Sequence, residues 1–353
     1  MKYTFIPLIA HLTLGVYAQY SIPQSPSTGG STQPSGTGEL LPLGVDTPPA
    51  KPEWLSAIDM TKVPNAPLQP DISQLRQCEK AKGFCNWSCE QCVNRTTDFD
   101  SCPKGQWAVT FDDGPTQFTP PLLDFLKQNN MKATFFVLGT QARDNPAILK
   151  RAFDEGHEIA SHTWSHKALT SLTNEQIVSE MKWTELAIQQ AIGVKPKYMR
   201  PPYGDIDDRV RALMVSMGLR VVIWNRDSFD WKLQTKQITL AEIDGNFTQW
   251  VQETPAADKG FISLEHDHSK DTVDIAIKHL PALSKVTKFV KLSECLNDPN
   301  IYQSVGSPSG SPSSGSAKTS STARIPSVNG ASSQTLTAGF VGTLMILTAA
   351  LLY

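Results

Sequence analysis

Between Trp107 and Leu292 the chain alternates short apolar runs with amphipathic stretches about six times over. The runs "WAVTF", "KATFFVLG", "HEIASHT", "LRVVIWN", "GFISLEHD" and "VTKFVKL" are strand-like, and "KYMRPPYG" reads as strand then turn. They hold too few polar residues to be solvated on either face. A parallel sheet covered by helices follows, an α/β architecture. The helices are expected over "PPLLDFLKQNN", with Leu122, Phe125 and Leu126 on one side, and over Pro146–Glu155, Thr173–Ala191, Asp207–Met217, Leu240–Gln252 and Thr272–Leu283. Thr173 with Gln176 three residues on makes a capping box for the longest of them. Alternation alone does not distinguish an open sheet from a closed barrel.

In parallel α/β folds the working residues sit where strands end, because the loops there are free to carry them. The unusual polar clusters of this chain fall at such ends. Asp112 and Asp113 end the first strand, His162 and His166 the third, Arg200 and Tyr203 the fourth, Asp227 and Asp230 the fifth, and Glu265 to His268 the sixth. Five such clusters point to one common mouth. His162 and His166 with one carboxylate form a two-imidazole, one-carboxylate set that leaves room for water, the pattern of catalytic zinc. No Glu follows His162, so the base must come from elsewhere. Asp113 as ligand leaves Asp112 free to take a proton from water that the cation acidifies. Arg200 holds Asp112 by a charge-assisted pair, and two prolines stiffen the backbone after it. Asp230 can orient a histidine, Trp231 can wall a sugar groove, and His266 is the candidate acid. Its neighbours Glu265, Asp267 and His268 read as exposed polar residues without a role.

The chain has 353 residues and a formal net charge of -2, which argues neither for nucleic acid nor for an acidic surface as a partner, and no nucleic acid is expected. A basic start, an apolar stretch from Phe5 to Val16 and small residues at Ala18 make residues 1–18 a signal peptide. Residues 19–77, rich in Pro, Ser, Thr and Gly, read as an extended spacer. Five of the six cysteines lie in the segment 78–102, which secretion makes a disulfide framework rather than a zinc knuckle. The catalytic domain is expected over 103–296 and a Ser/Gly/Pro-rich stalk over 304–329. The uncharged tail from Leu336 to Tyr353, with nothing basic after it, favours removal of 330–353 and a glycosylphosphatidylinositol (GPI) anchor at Asn329 over a plain transmembrane helix. Asn86, Asn94 and Asn246 each begin an N-glycosylation acceptor.

The ordered set "TFDDG", "HTWSH", "RPPYG", "DSFDW" and "LEH", spread over Trp107 to Leu292, closely resembles the five motifs of the polysaccharide deacetylases, carbohydrate esterase family 4. The cysteine-rich lead-in and anchored tail resemble the fungal chitin deacetylases among them. The resemblance implies a distorted, incomplete (β/α) barrel. It implies Asp113, His162 and His166 as ligands of a divalent metal, zinc or cobalt, and Asp112 as base. It adds an oxyanion contact from the Tyr203 backbone N–H, an acid role for His266 held by Asp230, and Trp231 as groove wall. The family's usual small residue before the last histidine is here Glu265. Cys102 just before the first strand and Cys295 just after the last are expected to pair across a nearly closed barrel, leaving Cys78, Cys85, Cys89 and Cys92 for two local bridges. The implied substrate is chitin or its oligosaccharides in the cell wall, at the outer face of the plasma membrane. An acetylxylan O-deacetylase and a non-catalytic wall-anchored carbohydrate-binding protein are the alternatives.

Overall fold

The computed structural model describes residues 39–73 and 83–303. The expected signal peptide, stalk, Asn329 and anchor propeptide, and Cys78, lie outside the described residues. Among the described residues the twelve strands are β1 (Asp98–Phe99), β2 (Gln106–Ala108), β3 (Thr110–Asp112), β4 (Thr134–Val137), β5 (Glu158–Ser161), β6 (Lys195–Pro196), β7 (Tyr198–Met199), β8 (Arg220–Val222), β9 (Arg226–Asp227), β10 (Phe261–His266), β11 (Lys288–Val290) and β12 (Tyr302–Gln303). Ten of them form one sheet in the order β1-β8-β7-β5-β4-β3-β10-β2-β11, with β9 beside β10. Every pairing in that sheet is parallel, while β6 and β12 make a separate antiparallel pair. The sheet is a curved α/β layer whose ends, β1 and β11, are not paired to each other: an incomplete barrel.

The apolar runs are continuous because both faces of each strand are covered. Phe136, Ala160, Tyr198, Val222, Ile262 and Val290 meet on the inner side. Their sequence neighbours Phe135, Val137, Ile159 and Phe261 face outward into the helix layer. Strand side chains alternate with period two, so inward-facing positions can be followed up each strand. Above Ala108 come Thr110 and Asp112, above Ala160 comes His162, above Tyr198 comes Arg200, and above Ile262 come Leu264 and His266. The inward face is apolar at the bottom and polar at the C-terminal rim.

The helices lie close to the expected spans: Thr119–Gln128, Pro146–Asp154, Asn174–Ile192, Asp208–Ser216, Leu240–Glu253 and Lys270–Leu283. The capping box of Thr173 and Gln176 is formed in both directions. Several elements differ from the sequence reading, these among them. Gly139–Asp144 is a short helix, "WAVTF" is two strands broken at Val109, and Asp98–Phe99 inside the cysteine-rich segment is the edge strand of the main sheet. A two-residue strand leaves no periodicity to read.

Cys102 follows edge strand β1 and Cys295 follows edge strand β11, and the two form a disulfide. The bridge ties together the chain segments leaving the two ends at which the sheet fails to close. Cys85 pairs with Cys92, and Cys89 is also disulfide-bonded.

Residues 39–73, part of the expected spacer, are mostly without regular structure but are packed along the helix Asn174–Ile192. Pro49 O accepts from Ser179 Oγ at 2.8 Å and from Trp183 Nε1 at 2.9 Å. Trp54 meets Trp183 edge-on at 5.1 Å, with Lys51 over both rings, and Ile58 is buried in the core. Spacer-like composition therefore conceals a docked strap, because a few aromatic and apolar contacts suffice to fix it.

Asn86 must be corrected as a glycan acceptor. It is fully buried, and its Oδ1 caps the helix Trp87–Glu90 by accepting from the Cys89 N–H at 3.0 Å. Its Nδ2 is buried as well, so the folded chain leaves a glycan there no way out. Asn94 and Asn246 are partly accessible.

Candidate active site

The inward-facing rim residues converge. Asp112 and His266 are register partners on β3 and β10, so their side chains stand next to each other on one face. Arg200 follows β7 and is fully buried; its Nη1 donates to Asp112 Oδ1 at 2.8 Å and to Thr110 Oγ1 at 2.7 Å. Its guanidinium lies 4.2 Å from the centre of the Phe136 ring, which packs it from below. Burial raises the Asp112 carboxyl; Arg200 and His266 oppose the rise, which settles at about 6.

The next residue turns away from the strand. Asp113 has φ 78°, a left-handed conformation that a non-glycine residue seldom adopts. That turn sends its carboxylate toward the loop after β5. Asp113 Oδ1 lies 3.5 Å from His162 Nε2 and 3.3 Å from His166 Nε2. Among the described residues this trio is the one group of three or more ligand-type side chains whose donor atoms lie within 4.8 Å of one another. Thr163 and His166 also have positive φ, 70° and 60°, which brings both imidazoles of "HTWSH" to one side. His162 Nδ1 donates to the Arg200 carbonyl at 2.8 Å, fixing the tautomer with a bare Nε2. His166 Nδ1 is bonded to the Tyr203 hydroxyl at 3.1 Å. Burial lowers both histidines to about 4, so both are neutral and able to ligate. Asp113 is pushed up by burial, but His166, His268 and the other imidazoles outweigh this and hold it well below the usual carboxylate range. Its Oδ1 is buried and has no hydrogen-bond partner among the described residues. A buried anionic oxygen without a hydrogen-bond donor, facing the Nε2 atoms of two imidazoles, is a donor set that fits a divalent metal.

On the opposite side, His266 Nδ1 lies 2.6 Å from Asp230 Oδ1, and the His266 backbone N–H donates to Asp230 Oδ2 at 2.9 Å. Burial lowers His266, but Asp230 and the nearby Asp113 and Asp112 raise it more, to about 10. This imidazole therefore carries a proton where Asp112 does not. Tyr203 and Trp231 are 43% and 39% exposed, so both present aromatic surface to solvent. The Tyr203 hydroxyl also hydrogen-bonds Ser73 at the end of the strap.

The reading of Glu265, Asp267 and His268 as exposed is corrected: all three are buried. Glu265 and Asp267 alternate with His266 and so face the helix layer. Asp267 accepts from Thr119 Oγ1 at 2.6 Å and presses against Gly114, where no Cβ would fit. His268 Nδ1 lies 3.5 Å from Asp113 Oδ2. Counting by two from His266 separates Glu265 and Asp267 from the site, but nothing in the sequence marks them as buried.

Glu265 has a measurable consequence. Burial raises its carboxyl to about 8, against 4.5 for an ordinary Glu. Between those values the folded chain keeps a proton that the unfolded chain releases, so stability falls as pH rises through that window. Glu265→Gln removes the titration. Its melting temperature relative to the natural chain is expected to be higher at pH 8 than at pH 5; an equal difference at both would show that Glu265 is ionised in the fold.

Residues 100–222 match the polysaccharide deacetylase family model. The chain is 40% identical over 265 residues to chitin deacetylase 1 of Saccharomyces cerevisiae, covering 74% of this chain and 81% of that one. It is 38% identical over 303 residues to chitin deacetylase 1 of Cryptococcus neoformans var. grubii, covering 78% of this chain and 64% of that one. Among solved structures, the chitin deacetylase of Colletotrichum lindemuthianum superposes with a TM-score of 0.54 at 33% identity, covering 60% of this chain and 97% of that one.

Proposed function

Because the chain belongs to the polysaccharide deacetylase family, we propose that it hydrolyses the N-acetyl groups of β-1,4-linked N-acetylglucosamine polymers, chitin above all, giving free amine and acetate. The observation that carries this reading is the placement of a metal-type trio between a carboxylate and a protonated imidazole. Asp113, His162 and His166 would hold the metal, with zinc or cobalt as the candidates. When bound, a divalent cation supplies Lewis acidity toward the acetyl carbonyl and lowers the pKa of nearby water.

The chain's own residues do the rest. Asp112, kept anionic and oriented by Arg200, takes the proton from the attacking water. The backbone N–H of Tyr203 stabilises the oxyanion of the tetrahedral intermediate. His266, held by Asp230 on its Nδ1 side, presents Nε2 and gives its proton to the departing nitrogen. Trp231 and the Tyr203 ring supply flat apolar faces for sugar rings. The two adjacent aspartates follow from this division of labour: one backbone turn separates a carboxylate that stays on the strand from one that swings to the histidines.

Disulfides and fungal relatives of this kind fit an extracellular protein. The composition of residues 1–18 supports secretion, and that of 304–353 supports tethering through a GPI anchor to the membrane beneath the wall. No helix among the described residues is long and apolar enough to cross a membrane.

The substrate is tested by acetate release from chitin oligomers against acetylated xylan. Release from the oligomers with little from xylan is expected. Strong release from xylan with none from the oligomers would contradict the proposal.

A further inference from the structure

The turn that carries Arg200 and Tyr203 is strained and is held from outside the strand–helix repeat. Tyr203 and Gly204 have φ 61° and 66°, two consecutive left-handed residues. A non-glycine residue keeps such a conformation only where its surroundings impose it. Those surroundings are the cysteine-rich segment. The Trp87 ring lies so close to Gly204 that a Cβ there would fall against its ring carbons. The Trp87 N–H donates to the Ile206 carbonyl at 3.0 Å. Ser88 Oγ donates to Asp205 Oδ1 at 2.8 Å, while Asp205 Oδ2 accepts from the N–H and the Oγ1 of Thr170, each at 2.8 Å. Trp87 also packs on Trp224 at 4.5 Å, and the Trp224 ring centre is 5.6 Å from the Arg200 guanidinium.

The segment itself is anchored at both ends. The Cys85–Cys92 disulfide spans the helix Trp87–Glu90. Arg211 donates to the carbonyls of Cys85 and Cys92 and pairs with Asp98 through Nε at 2.9 Å and Nη2 at 2.8 Å. Trp87 and Ser88 thus stand on a rigid support and press on the turn.

We propose that Trp87 and Ser88 are positioning residues of the reaction: they hold the turn Pro201–Asp205 so that the Tyr203 amide and Arg200 keep their reactive placement. The cysteine-rich segment is then part of the working machinery, not only a staple. This rests on the oxyanion role proposed for Tyr203. Misplacement of a reacting group by about 1 Å can cost on the order of 100-fold in rate.

The test measures kcat and KM for acetate release from chitin oligomers, per folded metal-loaded chain, for the natural full-length protein, Trp87→Ala, Trp87→Phe and Ser88→Ala. Because the oxyanion exists only after attack, a displaced turn should act on kcat. Trp87→Ala is expected to lose about 10–100-fold in kcat with KM changed by less than about threefold. Trp87→Phe, which refills the space over Gly204, should recover most of the loss. Ser88→Ala should lose a few-fold with the same pattern. An unchanged kcat in Trp87→Ala, with only its melting temperature lowered, would reduce the residue to a structural staple and overturn the proposal. If Trp87→Ala does not fold, Ser88→Ala decides in the same way. A natural chain that releases no acetate would instead contradict the proposed function, and this inference with it.

Discussion

Asp112→Asn is expected to lower turnover on chitin oligomers by about 10²–10⁴-fold while the protein keeps its metal. The substitution preserves shape and an oxygen able to accept from Arg200 Nη1, now 2.8 Å from Asp112 Oδ1. It removes the one property the proposed base needs, an anionic oxygen able to take a proton. Metal should be retained because the oxygen that faces both His162 and His166 belongs to Asp113, beyond a backbone turn, whereas Asp112 Oδ2 approaches His162 Nε2 only to 3.7 Å. Arg200 is left buried without its counter-charge, so the variant should also melt earlier. Rate is therefore measured per folded chain, with metal content by elemental analysis beside it. His162→Ala is the matched control and should lose metal and activity together. Near-normal turnover in Asp112→Asn would show that the base lies elsewhere.

His266→Ala should fall further on the amide than on an ester. Nitrogen leaves poorly unless protonated, whereas an acetyl ester departs with less help. The proton is available because Asp230, 2.6 Å from Nδ1, and the nearby aspartates keep the imidazole charged at neutral pH. Removing it should cost about 10²–10⁴-fold on chitin oligomers and clearly less on an aryl acetate. Equal losses on both substrates would remove the amide-specific role, leaving His266 as an electrostatic or packing residue.

The covered parallel sheet and its rim were legible because they repeat; that the sheet curves into an incomplete barrel was implied only by the family resemblance. Apolar runs of strand length, spaced by amphipathic stretches, encode a covered parallel sheet, and polar residues breaking those runs at one end encode a mouth. Once the strands are known, period-two alternation carries the reading to single residues: from Ala108 through Thr110 to Asp112, and from Ile262 through Leu264 to His266. What stayed hidden depends on contacts distant in sequence or on isolated backbone angles. The left-handed φ of Asp113, which separates it from Asp112, has no local signature beyond the glycine that follows. The burial of Glu265, Asp267 and Asn86 is set by helices and loops far along the chain. Trp87 and Ser88 lie in a segment whose cysteines mark it as stapled but not as facing the turn at Gly204. Residues 39–73 show the same limit from the other side: their composition is that of a spacer, and only contacts made in the fold, such as the pairing of Trp54 with Trp183, show where they dock.

On the proposed function, Asp113, His162 and His166 hold a metal on which deacetylation depends. The most direct test is zinc titration of chelator-stripped protein, following bound metal and acetate release from chitin oligomers together. Stripping is expected to abolish release, activity to return in proportion to bound zinc and saturate at one ion per chain, and His166→Ala neither to bind zinc tightly nor to recover. Full acetate release by the stripped protein, or one tightly bound zinc in the His166→Ala chain, would contradict this reading.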